Sequence, residues 1–190
     1  MAEVVLFHHA LGLTPGIVAF ADRLRAAGHT VHTPDMYEGR LFDTVEAGVA
    51  HAQQVGFEEV VGRGVRAAEG VAPGAFYAGY SLGAMPAQLL AQTRPGAAGA
   101  VLLAGCVPAT EFGPGWPAQV PVQIHAAEAD PWFAEDAEAA RELAAGAEAG
   151  ELFRYPGDEH LFLDSSAPGY DAEAAELVLQ RVLGLLATAA

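Results

Sequence analysis

Apolar runs of strand length alternate along this chain with longer stretches of helical periodicity, and few folds accept that alternation. The runs are Val4 to His8, HTVHTPD, GAFYAGY, GAVLLAG, VPVQIHAAE and ELFRYPG. Continuous apolar strands need cover on both faces, and parallel strands need crossover connections, which the helical stretches supply. The expected fold class is therefore α/β: a mostly parallel, doubly wound sheet of about six strands flanked by helices. Start and stop signals agree with this order. Thr14 and Pro15 stand as N-cap and first residue of a helix that ends near Gly28. Thr44 to Glu69 reads as two helices, LGAMPAQLLAQT and FAEDAEAARELAAGA as one each, and Asp171 to Leu186 as the last.

With 190 residues, the chain has the length of one domain, 1–190, and 52% hydrophobic residues suffice for a substantial core. Nine basic residues, all arginine, against 24 acidic ones give a net charge of −15. That field repels phosphate backbones and anionic lipid, so neither nucleic acid nor a membrane is an expected partner. The expected partner is a small-molecule substrate, bound by a monomer or homodimer. Cys106 is the one cysteine, so no internal disulfide and no thiolate cluster for zinc can form. Glu3, His8 and His9 spoil the N-terminus as a secretory leader, and a cytoplasmic location is expected.

Ligand sites in doubly wound sheets lie beyond the carboxyl ends of the strands, which is the test for every polar residue of interest. Gly79-Tyr80-Ser81-Leu82-Gly83 fits G-x-S-x-G at a strand-to-helix junction. There a serine sits on a strained turn and small neighbours let strand and helix approach. The bland reading of Ser81 is a helix N-cap. A serine hydroxyl needs a base, itself oriented by an acid. His160 and Asp130 both follow apolar strands, and the chain order Ser81, Asp130, His160 is that of the α/β-hydrolase triad. Glu128, Asp158 and Glu159 are alternative acids. The Leu82 N–H and a backbone N–H from the loop after the first strand would form the oxyanion hole, with Ala10 the first choice there and Leu11 the second. Pro86 is a misfit that should kink the following helix.

His9, Leu11, Tyr37, Glu38, Trp132 and Phe162 are candidate lining for a substrate pocket, with Arg40, Phe112 and Trp116 as further candidates and core packing as the alternative for each aromatic. His8 is expected to be structural, and Cys106 an inert buried thiol. The adjacent His8 and His9 lack further ligands, so no metal site is expected.

HHALGLTPGIVAFADRLRAAGHTVHTPDMYEGR, GYSLGA, HAAEADPW and EHLFLDSSAPGYDAEAAELVLQRVL together resemble the dienelactone hydrolase branch of the α/β-hydrolase superfamily. The PD-x-Y segment at Pro34 to Tyr37 and the stretch from Ser166 to Tyr170 are more specific to that branch than GYSLG. The resemblance covers nearly the whole chain. It implies an α/β-hydrolase fold and hydrolysis of an ester, lactone or thioester with no cofactor; because the chain is short for the family and starts almost directly at its first strand, a minimal fold without outer antiparallel strands is expected. Dienelactone hydrolases use a cysteine where this chain has Ser81. By the same resemblance the family's gating glutamate falls on His9, and its substrate-binding arginine on Asp164. A carboxylate there would repel an acidic lactone. Acyl transfer or thioester cleavage would use the same triad, and a non-catalytic protein could use the pocket to hold a small apolar ligand.

Overall fold

The computed structural model describes residues 1–188. Its strands are β1 (Glu3–Phe7), β2 (Thr30–His32), β3 (Phe76–Tyr80), β4 (Gly99–Leu103), β5 (Val122–Ala127) and β6 (Gly150–Tyr155). All neighbours pair in parallel, in the order β2-β1-β3-β4-β5-β6. The helices are α1 (Pro15–Ala26), α2 (Val45–Val55), α3 (Phe57–Ala67), α4 (Ala84–Thr93), α5 (Ala137–Gly146) and α6 (Ala172–Ala187). Because successive strand side chains point to opposite faces, each strand feeds two cores. Val4 and Leu6 pack with Ile17 and Leu24 of α1 and Val178 and Val182 of α6. Val5 and Phe7 pack on the other side with Ala52, Val60, Ala87 and Leu143 from α2 to α5. Every residue of β3, β4 and β5 is buried, whereas Thr30 and His32 of edge strand β2 are exposed.

The local signals act as their chemistry dictates. Thr14 caps α1, its Oγ1 accepting from the Ile17 N–H at 3.3 Å. The stretch from Thr44 to Glu69 divides at Gly56 into α2 and α3. Several boundaries differ from the sequence reading, β2 covering only Thr30–His32 of HTVHTPD and α4 beginning at Ala84. β1 stops at Phe7 because the His8 ring is already bonded to the loops on either side: its Nε2 accepts from the Met36 N–H at 2.9 Å and its Nδ1–H donates to the His9 carbonyl at 2.8 Å. Helix α5 begins at Ala137 rather than near Phe133, whose wholly buried ring anchors a series of turns after β5. Among the described residues, no helix is long and apolar enough to cross a membrane.

Candidate active site

Three loops meet above the carboxyl edge of the sheet, following β3, β5 and β6. At the first, Tyr80 ends β3, Ser81 takes φ 52°, and a 3-10 turn over Ser81–Gly83 leads into α4. A methyl group on Gly79 would lie 2.0 Å from the Gly83 carbonyl oxygen, and one on Gly83 2.4 Å from that of Phe7. Only glycine lets the turn close on itself and settle against the end of β1. The left-handed serine costs about 1–3 kcal/mol, strain of the kind that collects at functional sites. Ala104, just past β4, has φ 51° and lines the same cavity as Ser81. Pro86 produces no misfit, contrary to expectation. The 3-10 turn comes first, so Pro86 sits in the first turn of α4, where an N–H has no partner to lose.

From the loop after β6, His160 Nε2 meets Ser81 Oγ at 2.7 Å, and its Nδ1 meets Asp130 Oδ2 at 2.7 Å. These bonds require the tautomer in which Nδ1–H donates to the carboxylate and Nε2 accepts the serine proton. The other oxygen, Asp130 Oδ1, accepts from the Trp132 N–H at 2.9 Å, so the carboxylate is held at both ends. Asp130 and His160 are buried. The alternative acids Glu128, Asp158 and Glu159 form no ion pair with His160. In the loop after β1, the Leu11 N–H donates to His9 Nδ1 at 3.2 Å and is thereby occupied. The Ala10 N–H has no protein partner among the described residues, and Gly83 sets this loop directly against the turn that carries Ser81 and Leu82.

The sequence reading missed Tyr80. Its phenol donates to the His160 carbonyl at 3.0 Å and accepts from the Leu163 N–H at 3.2 Å, tying the loop that bears His160 to the strand that leads into Ser81. Burial raises its pKa well above the ordinary value. Tyr80→Phe leaves one buried donor and one buried acceptor unpaired. The expected loss is about 1–3 kcal/mol in urea unfolding.

Two cavities flank the Ser81–His160 axis and share Trp132 and His160 as their common wall. The larger, about 300 Å³, also takes in Leu11, Asp43, Glu46, Asp158 and Glu159. The smaller, about 240 Å³, is lined by Ser81, Leu82, Met85, Ala104 and Asp136. Leu11 and Trp132 thus stand where the sequence suggested. Four other candidates do not line either cavity. His9 is wholly buried, with Nε2–H donating to Asp164 Oδ2 at 2.7 Å. Tyr37 lies in the core, its phenol donating to the Gly48 carbonyl at 3.0 Å and pushed up to about 12 by burial. Glu38 turns to solvent and pairs with Arg63 at 3.3 Å. Phe162 packs 5.4 Å from the Tyr155 ring within the core on the α6 side. Arg40, Phe112 and Trp116 also lie outside both linings, Trp116 being buried with its indole N–H on the Val120 carbonyl.

Asp164 requires a correction as well. It is 1% exposed, and its oxygens accept from His9, Thr14 (2.6 Å) and the backbone and hydroxyl of Ser166 (2.7 and 2.5 Å). Burial alone would raise its pKa, but these donors outweigh burial and hold the carboxyl well below the usual carboxylate range. It lines neither cavity, so it does not face a substrate bound there. Cys106 is buried, its thiol pushed up to about 12 chiefly by burial. Among the described residues, no group of three or more His, Cys, Asp or Glu side chains could hold a metal ion.

The all-parallel sheet, with its serine turn after β3 and a histidine after β6, defines an α/β hydrolase. The chain belongs to the dienelactone hydrolase family, whose sequence profile it matches over residues 1–190. That membership places it among the hydrolases acting on ester bonds. Among solved structures, it is similar to a dienelactone hydrolase-like promiscuous phosphotriesterase from metagenomic libraries: 19% identity, TM-score 0.76, covering 99% of this chain and 86% of that one. A dienelactone hydrolase from Anabaena variabilis ATCC 29413 is also similar: 19% identity, TM-score 0.66, covering 98% and 87%. So is a cold-adapted esterase from an Arctic intertidal metagenomic library: 18% identity, TM-score 0.63, covering 97% and 82%. No curated protein matches the chain at a significant level.

Proposed function

We propose that this protein is a serine hydrolase that cleaves a small ester, lactone or thioester through an acyl-enzyme on Ser81. The observation that carries the reading is the Ser81–His160–Asp130 relay, with both hydrogen bonds at 2.7 Å. His160 Nε2 takes the hydroxyl proton as Ser81 Oγ attacks the acyl carbonyl, and Asp130 stabilises the imidazolium. The backbone N–H groups of Leu82 and Ala10 receive the oxyanion, where the start of α4 adds its dipole. His160 then returns the proton to the leaving group as the bond to the acyl carbon breaks. Water repeats the sequence on the acyl-serine, giving up a proton through His160 to Ser81 Oγ and releasing the acid.

Intact-mass detection of fluorophosphonate labelling tests this reading. One adduct per chain is expected in the wild type and none in Ser81→Ala or His160→Ala. A folded wild type that takes no label, or equal labelling of Ser81→Ala, would overturn it.

A further inference from the structure

The two cavities beside Ser81 have a one-sided charge. The smaller one holds Asp136, and the larger is rimmed by Asp43, Glu46, Asp158 and Glu159. No arginine lines either of them, and the chain contains no lysine. The nearby cations are elsewhere: Arg63 is spent on Glu38, Glu59 and the Met36 carbonyl, and Arg40 lies outside both linings. Besides the reacting pair, the smaller cavity has one acidic side chain and no basic one, its other polar side chains being Trp132 and Cys106.

Asp136 occupies that place at the expense of an ordinary role. It stands at the N-cap of α5, where an aspartate normally accepts from the helix's free N–H groups, yet its side chain makes no capping bond. Instead Oδ2 turns toward the end of β4 and accepts from the Cys106 N–H at 3.3 Å. Cys106 follows Gly105, which packs directly on the Ser81 backbone, so the carboxylate stands one strand end away from the nucleophile. Burial, the largest influence, holds this carboxyl above its usual range, with the Cys106 N–H and His160 opposing it only in part. Trp132, exposed and shared by both cavities, offers an indole face of the kind that attracts cations.

We infer that the substrate of this site is an ester carrying a cationic group, an ammonium or guanidinium, which docks against Asp136 and Trp132 while the acyl carbon meets Ser81. The inference rests on Ser81 as the nucleophile and adds the charge of the substrate. An anionic acyl or leaving group meets only like charge here. A cation supplies the charge that Asp136 lacks and is drawn in by the rim.

The p-nitrophenyl esters of three acids test this: γ-trimethylammonio-butyrate, its isostere with quaternary carbon in place of nitrogen, and glutarate. In the wild type kcat/KM should fall in that order, with the cationic ester favoured over its isostere by roughly tenfold or more. In Asp136→Asn that ratio should fall severalfold. Molar salt should weaken the share due to the exposed rim more than the share due to half-buried Asp136. Should Asp136→Asn fold poorly, Asp136→Ser replaces it, and the wild-type series decides by itself. Hydrolysis that depends on Ser81 but is indifferent to charge, or that favours glutarate, would overturn this inference and leave the nucleophile standing. A second arm needs no turnover: phenyltrimethylammonium should perturb Trp132 fluorescence saturably in Ser81→Ala, and more weakly once Asp136→Asn is added. Equal binding with and without Asp136 would likewise overturn it.

Discussion

Ser81→Ala is expected to lower kcat for p-nitrophenyl ester hydrolysis by ~10⁴-fold or more while changing KM little. The hydroxyl makes its decisive bond only in the transition state, so its loss removes rate rather than ground-state binding. His160→Ala should be nearly as severe, and the double variant hardly worse than either, because the two groups act as a unit. A stability measurement separates chemistry from folding. Ser81 has φ 52°, a conformation alanine tolerates no better than serine, so Ser81→Ala should unfold at nearly the wild-type urea concentration. Ser81→Gly should be just as inactive yet more stable, since glycine relieves about 1–3 kcal/mol of backbone strain. Activity kept in either variant, or a Ser81→Gly protein no more stable than Ser81→Ala, would contradict a strained nucleophile at this turn.

What the sequence makes legible depends on the physical origin of each signal. The strands were readable because β3, β4 and β5 are buried on both faces and so leave continuous apolar runs. Ser81, Asp130 and His160 were readable because each follows a strand, and parallel strands bring such ends to one edge. Side-chain direction within a loop has no such rule. His9, Tyr37 and Phe162 occupy loops at that edge, yet all three turn inward to buried partners. Asp136 was hidden differently, in an Ala-Glu-Asp stretch that reads as plain helix. Its importance comes from the turns that hold α5 off until Ala137, leaving Asp136 beside the end of β4.

Asp164 shows how resemblance to a family can place a residue without giving its role, and its true role leads to a large effect on stability. The position aligned with a substrate-binding arginine, and the carboxylate there instead joins three segments. It binds the loop after β1 through His9, the start of α1 through Thr14, and its own loop beyond His160 through Ser166. Asp164→Asn replaces one accepting oxygen with an N–H₂ that faces donors, and should cost about 3–5 kcal/mol at neutral pH. The pH dependence has a definite sign. The folded-state pKa lies below the free value of 3.8, so the stabilisation is complete above the unfolded pKa and is lost as the pH falls through it toward the folded one. Urea midpoints measured from pH 7 downward should fall more steeply for the wild type than for Asp164→Asn, and the gap between them should narrow below about pH 4. The same network carries the Ala10 N–H, because His9 holds the Leu11 N–H at 3.2 Å and so shapes the turn that presents the proposed oxyanion donor. Asp164→Asn that remains folded at low temperature should therefore lose kcat as well as stability. A gap in urea midpoint that stays constant with pH would show that Asp164 acts through its shape and not through its charge.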